Sequence, residues 1–185
     1  MSNDNTDRSG YANPAPLGLM GFGMTTVLLN LHNAGLYQIN GIILAMGIFY
    51  GGIAQLIAGV IEYKKGNGFG GLAFVSYGSF WLSLVFIFIS GSADPIAMGA
   101  YLSLWGLFTL YMFIATLKQS MTNRIIFGSL VALFALLAAS KFAGPTGEII
   151  GKIAGVEGIF CGLSAIYGAA AITLNDSYGK KVLPL

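Results

Sequence analysis

The sequence predicts an all-α integral membrane protein: a six-transmembrane-helix bundle with both termini cytoplasmic. Three observations lead there. Only 9% of the 185 residues are Asp, Glu, Lys or Arg while 56% are hydrophobic, whereas soluble domains carry about 25% charged residues. A chain so poor in charge must turn most of its surface toward lipid or other subunits. The few charges also sit in clusters, separated by apolar runs near the length of about 20 residues that crosses a bilayer. Finally, the 27 glycines suit the close approach of membrane helices.

The spans are expected at about 14–33, 41–61, 69–90, 96–117, 123–140 and 149–174. The first is the least obvious. Its apolar core, LGLMGFGMTTVLLNL, reaches 20 residues, or roughly 30 Å, only with the preceding proline segment included. Asn13 suits the N-cap of this helix, and Pro14 suits N1, where its missing N–H costs nothing. Pro16 biases Ala15 away from the helical region and predicts a loose first turn. The connections NAGLYQIN, KKGNGFG, GSADP, KQSMTN and KFAGPTGE are too short to hold a further domain. Residues 1–12 and 176–185 therefore read as cytoplasmic tails on one transmembrane body, 13–175.

Orientation follows from the basic residues. Arg8, Lys64, Lys65, Lys118, Arg124, Lys180 and Lys181 fall on one side, and Lys141 and Lys152 on the other. The richer side is cytoplasmic. The polar first dozen residues predict no cleavable signal peptide. Basic residues confined to loops and tails speak of orientation in a cell membrane, not of nucleic-acid binding. The single cysteine, Cys161, lies within the last span, which argues against disulfides and cysteine metal sites. HExxH and GxSxG motifs are absent, and GGLAFVSYG lacks the lysine of a phosphate loop. The chain therefore does not read as an enzyme, and no cofactor is expected.

Polar groups inside spans are costly, so each needs a partner, a water or a task. On the first helix Leu19, Phe22, Thr26, Asn30 and Asn33 form one stripe, with Thr25 beside it. On the second, Gly52, Gln55, Gly59 and Glu62 share a face at helical spacing. Gln55 is deep enough to point inward. Glu62, at the cytoplasmic end near Lys64 and Lys65, is either a pathway group or a paired interfacial one. Ser76, Tyr77, Ser79, Phe80 and Ser83 on the third helix, with Tyr101, Trp105, Thr109 and Met112 on the fourth, suggest a narrow, weakly polar path. Tyr101 and Trp105 read equally as core or interface anchors. Glu157, in the last span, is either a proton-linked group or a hydrogen-bond partner of a neighbouring helix. His32 reads as a residue of the outer mouth or interface. Glycines paired at 47 and 51, 151 and 155, and 158 and 162 mark faces for tight packing.

The stretch Asn13-Pro14-Ala15-Pro16-Leu17-Gly18-Leu19 resembles the signature of the acetate uptake transporter family, whose bacterial type is the succinate–acetate permeases. GFGMTTVLLNLHNAG, GIILAMGIFYGGIAQ, EYKKGN, SYGSFWLSL, YLSLWGLFTLYMF, SLVALFALLA and CGLSAIY are similar to that type as well, so the likeness spans about residues 12–184. The resemblance implies a homo-hexamer of six-helix protomers, each with its own pathway. It implies uptake of acetate and similar small carboxylates, succinate in some members, usually with protons. It also implies a constriction at Phe22, Tyr77 and Leu130, and a small residue bearing on substrate size at Ala165.

Such a constriction would pass the methyl of acetate while Tyr77, Thr26 or an asparagine satisfies its oxygens. A bare anion is costly in a low dielectric. The substrate therefore crosses with a proton, or the constriction opens for a hydrated anion as in a channel. A non-transporting scaffold or sensor is the remaining alternative.

Overall fold

The computed structural model describes residues 10–91 and 94–185. Asp4, Asp7 and Arg8 of the N-terminal tail lie outside them, as do two residues of the third connection. The chain forms α1 (Ala15–Asn33), α2 (Gly41–Lys64), α3 (Gly68–Ser90), α4 (Pro95–Thr116), α5 (Met121–Phe142) and α6 (Gly147–Tyr178). A single 3₁₀ turn, Gly144–Thr146, precedes α6. Among the described residues there is no strand. Helices α2 to α5, and α6 with its preceding turn, are long and apolar enough to cross a membrane. This is an all-α membrane protein, with α1, of 19 residues, as a further long helix.

Local chemistry sets the helix ends. The Asn40 side chain accepts from the N–H groups of Ile42 and Ile43, that of Asn67 from Gly70, and that of Asp94 from Ala97. Ser120 caps α5 through the N–H of Asn123. Gly91 and Gly179 end α3 and α6 at φ of 62° and 59°, a left-handed conformation that glycine adopts without a Cβ clash.

The start of α1 departs from expectation. Pro14, not Asn13, is the N-cap, at φ −86° and ψ −7°, and Ala15 and Pro16 take the first two helical positions. Asn13 stands one residue further out, where its Oδ1 accepts the Ala15 N–H at 3.1 Å. The Gly18 N–H donates to the Pro14 carbonyl at 3.1 Å. The first turn is thus closed rather than loose: Ala15 is helical despite Pro16, and neither proline needs to donate there.

The helices close into a circle in chain order. α1 packs between α2 and α6, α2 on α3, and α5 between α4 and α6. α3 and α4 meet through aromatic side chains: Tyr77–Phe108 centroids lie 5.3 Å apart, Phe80–Trp105 5.2 Å and Phe80–Tyr101 5.8 Å. Glycines make the α1–α6 seam. A Cβ at Gly162 would stand 2.7 Å from the Gly23 carbonyl oxygen, and one at Gly23 would stand 2.7 Å from that of Gly162. Gly158 lies under the Asn30 amide and Gly155 under the Asn33–Ala34 backbone. Gly151 instead faces Ser140 of α5.

α2 is π-helical from Gly47 to Ala54, a widened turn of the kind often found near functional sites. Trp81 and Val85 of α3 press on its glycines, and Thr25 Oγ1 donates to the Met46 carbonyl just before it, at 3.3 Å. After Gly179 the tail folds back along α6. Asn175 Oδ1 accepts from the N–H groups of Val182 and Leu183 at 2.6 and 2.9 Å, and the Tyr167 hydroxyl donates to the Pro184 carbonyl at 2.8 Å.

Candidate functional site

Among the described residues, a wider and a narrower cavity lie inside the circle. The wider, about 200 Å³, is walled by Thr26, Leu29 and Asn30 of α1, with side chains of α3, α4 and α5 opposite. The narrower, about 20 Å³, is walled by Leu19, Gln55, Ala73, Phe74, Ile126 and Phe127, and has room for about one water. Phe22, Tyr77 and Leu130 wall both. All three are buried, and the Phe22 and Tyr77 ring centroids stand 5.9 Å apart. A side chain each from α1, α3 and α5 thus forms the partition between the two spaces.

The wide cavity is mostly apolar, with a few placed polar groups. Thr26 Oγ1 is buried there without a hydrogen-bond partner. Asn30 Nδ2 donates to the Thr26 carbonyl at 2.9 Å, and Asn33 Nδ2 donates to Asn30 Oδ1 at 3.0 Å. His32 Nδ1 stands 2.7 Å from the Tyr37 carbonyl oxygen. A carbonyl only accepts, so Nδ1 carries the proton. His32, Asn33 and Lys141 continue into a vestibule of about 380 Å³. Its rim holds the exposed Lys152–Glu148 pair at 2.8 Å, a contact of small energetic weight. In the narrow cavity Gln55 is 1% exposed and its Oε1 has no partner. An apolar chamber with a few convergent polar groups suits a small amphiphilic molecule.

The family described as GPR1/FUN34/yaaH matches residues 3–183. The chain belongs to that family. Among GPR1/FUN34/yaaH relatives, the succinate-acetate/proton symporter SatP of Escherichia coli (strain K12) is 58% identical over 180 residues, covering 94% of this chain and 95% of SatP. The ammonia transport outward protein 2 of Saccharomyces cerevisiae is 38% identical over 183 residues, covering 91% of this chain and 64% of the yeast protein. A solved structure described as the bacterial acetate channel SatP has a TM-score of 0.91 and 57% identity, covering 95% of this chain and 99% of that one. In this GPR1/FUN34/yaaH protein, as the family implies, the fold is that of a multi-pass integral membrane protein.

The structure distributes the sequence-predicted residues unevenly. Phe22, Thr26, Asn30, Tyr77 and Leu130 meet at the wide cavity, and Leu19 and Gln55 at the narrow one. Within the GPR1/FUN34/yaaH signature stretch, Pro14 is buried, Asn13 and Leu17 are exposed, and Ala15 and Pro16 are intermediate. Gly18 presses on the Phe74 ring, where a Cβ would stand 2.6 Å away. Ala165 is fully buried among core side chains but walls neither cavity. Glu62 is 2% exposed and accepts from Asn67 Nδ2 at 2.9 Å, locking the α2–α3 turn. Glu157 lies in a lateral groove with Arg124, Ser129 and Phe160, apart from both cavities, and its Oε2 has no partner. Two features went unrecognised in the sequence. Lys141 reaches the wide cavity from the end of α5, and Thr109 bonds to the Tyr77 hydroxyl at 3.0 Å. The four-residue spacing of Trp105 and Thr109 signals only the bond of Thr109 to its own helix, and no pattern signals the one to Tyr77.

Proposed function

We propose that this protein carries acetate and related small carboxylates, succinate among them, across the cell membrane together with protons. The observation that carries this reading is the pair of cavities meeting at Phe22, Tyr77 and Leu130. Each side offers a polar group, Thr26 or Gln55, against a largely apolar wall. Similarity to SatP supplies the substrate class and the coupling. All six helices cross the bilayer in this reading, with both termini cytoplasmic, as the distribution of basic residues favours. The wide cavity then faces outward. Substrate leaves past Gln55 and the start of α1, Asn13 to Leu19, where the positive end of the helix dipole favours an anion.

Each protomer holds its own pathway, and six protomers assemble. Exposed apolar faces, such as Phe49, Ile53 and Ile57 on α2, serve lipid and neighbouring subunits. Glu62 and Glu157 have structural roles, as the Asn67 bond and the lateral groove support.

The test is uptake of radiolabelled acetate into proteoliposomes with pH gradient and voltage set independently. Uptake driven by the proton gradient is expected. Uptake that follows voltage and ignores the proton gradient would mark an anion channel instead, and a scaffold or sensor would give no flux. Glu157→Gln is expected to keep full dependence on the proton gradient. Its loss in a folded variant would make Glu157 part of the coupling machinery.

A further inference from the structure

At the constriction the Tyr77 hydroxyl stands 3.0 Å from Thr109 Oγ1, which itself stands 2.7 Å from the Trp105 carbonyl oxygen. Two oxygens that close need a proton between them, and a backbone carbonyl can only accept. The single hydroxyl proton of Thr109 therefore lies on the Trp105 carbonyl. The contact between Tyr77 and Thr109 must take its proton from Tyr77. Both residues are buried, at 3% and 0% exposure, so water competes little for this bond.

The consequence concerns what a passing molecule meets. Phe22 and Leu130 have no polar side-chain atom, and the Tyr77 proton is already held. The donors in reach, the Thr26 hydroxyl and the Gln55 amide, therefore stand on either side of these three residues and not among them. Around Tyr77 the aromatic neighbours are Phe22 of α1, Trp105 and Phe108 of α4, and Phe127 of α5. The titratable side chains acting on it are Cys161 of α6 and Tyr111 of α4, and neither a thiol nor a phenol is a cation. The Cys161 thiol is turned to the Ile126 carbonyl. Lys141 is far along the wide cavity, at its mouth.

We infer that Thr109 is a positioning residue that holds the Tyr77 proton, leaving the constriction without a hydrogen-bond donor, so that it passes neutral carboxylic acids and rejects carboxylate anions. The inference rests on the transport reading above. A carboxylate needs donors or a cation when it loses water, whereas a carboxylic acid brings its own donor and needs only acceptors. The proton balance is direct. In the wide cavity a carboxylate oxygen takes a proton from water on that side, forming one O–H bond. Beyond the constriction that bond breaks and the proton leaves into water on the other side. One proton accompanies each acetate without net charge, and succinate requires two.

Proteoliposomes test this by measuring acetate uptake under a pH gradient or a potassium diffusion potential alone. Wild type is expected to respond to the first and not to the second. Thr109→Val keeps the side-chain shape and removes the acceptor, freeing the Tyr77 proton to meet an anion. Voltage-driven uptake should rise by about ten-fold or more, the effect of one hydrogen bond to a charged group. Thr109→Ser keeps both bonds and stays electroneutral. Adding Tyr77→Phe to Thr109→Val removes the freed donor and should abolish the voltage-driven part, which a packing disturbance would not do. Voltage-driven uptake in wild type, or electroneutral uptake in folded Thr109→Val, overturns the inference. Should Thr109→Val not fold, Tyr77→Phe decides: its remaining uptake should be electroneutral, and voltage-driven uptake or complete loss in the folded variant overturns the inference. Wild-type vesicles without any acetate uptake would remove the transport reading itself.

Discussion

Phe22→Ala, and separately Leu130→Ala, should admit carboxylates longer than acetate, with selectivity against each added methylene falling by about ten-fold. Both side chains wall the wide and the narrow cavity, and with Tyr77 they form the partition. Truncation joins the two spaces on one side of Tyr77 while leaving the polar groups, Thr26 and Gln55, in place. The variants should therefore change which substrates pass more than whether acetate passes. Each also leaves a void, with a cost of about 2–5 kcal/mol for such core truncations. A thermal midpoint measured in detergent separates that loss from the selectivity change. Competition of labelled acetate uptake by propionate, butyrate and succinate reads the effect. Unchanged size selectivity in both folded variants would place the constriction elsewhere.

The second large effect is expected at the α1–α6 seam. A Cβ at Gly162 would stand 2.7 Å from the Gly23 carbonyl oxygen and 2.9 Å from the Val27 nitrogen. Both are backbone atoms, so no rotamer change relieves the overlap, and the two helices must separate. Gly162→Ala is therefore expected to destabilise by about 1–3 kcal/mol, the usual range for overpacking. It should lower the thermal midpoint and impair uptake together, because α1 carries Phe22, Thr26 and Asn30 to the cavity wall. Gly106→Ala is the control. Its nearest neighbour would be Phe134 Cβ at 3.4 Å, an ordinary contact, and alanine favours a helix more than glycine does. A Gly162→Ala variant as stable as wild type would show that the seam yields without cost.

The membrane fold was legible because charge clusters and apolar lengths report directly on the bilayer. The polar stripe on α1 was legible for a similar reason: Phe22, Thr26 and Asn30 recur at helical spacing and reach one cavity. What periodicity does not contain is the identity of the helix that a face meets. Glu157 lies on the α6 face turned to Ser129 of α5 and lines neither cavity, a placement that depth in the span does not reveal. Glu62 has two readings in the sequence, and its observed partner, Asn67, lies five residues along the chain rather than at the neighbouring lysines. The cap of α1 shifted by one residue because Asn13 can reach the same first-turn N–H groups from one position further out. The hold of Thr109 on Tyr77 crosses between helices, and single-helix patterns carry no trace of it.

Arrangement of the helices in chain order bears on how the molecule comes to be enclosed. From α1 to α6 each helix lies beside its predecessor, so most of the wall joins segments adjacent in sequence. The exception is the contact of the first helix with the last, which spans nearly the whole chain. Loop closure over that distance comes late when folding follows synthesis. A chain cut after Phe142 would hold the Phe22, Tyr77 and Leu130 side chains yet leave a slot open between α1 and α5. The inside of this protein becomes an inside only when its final segment returns to its first.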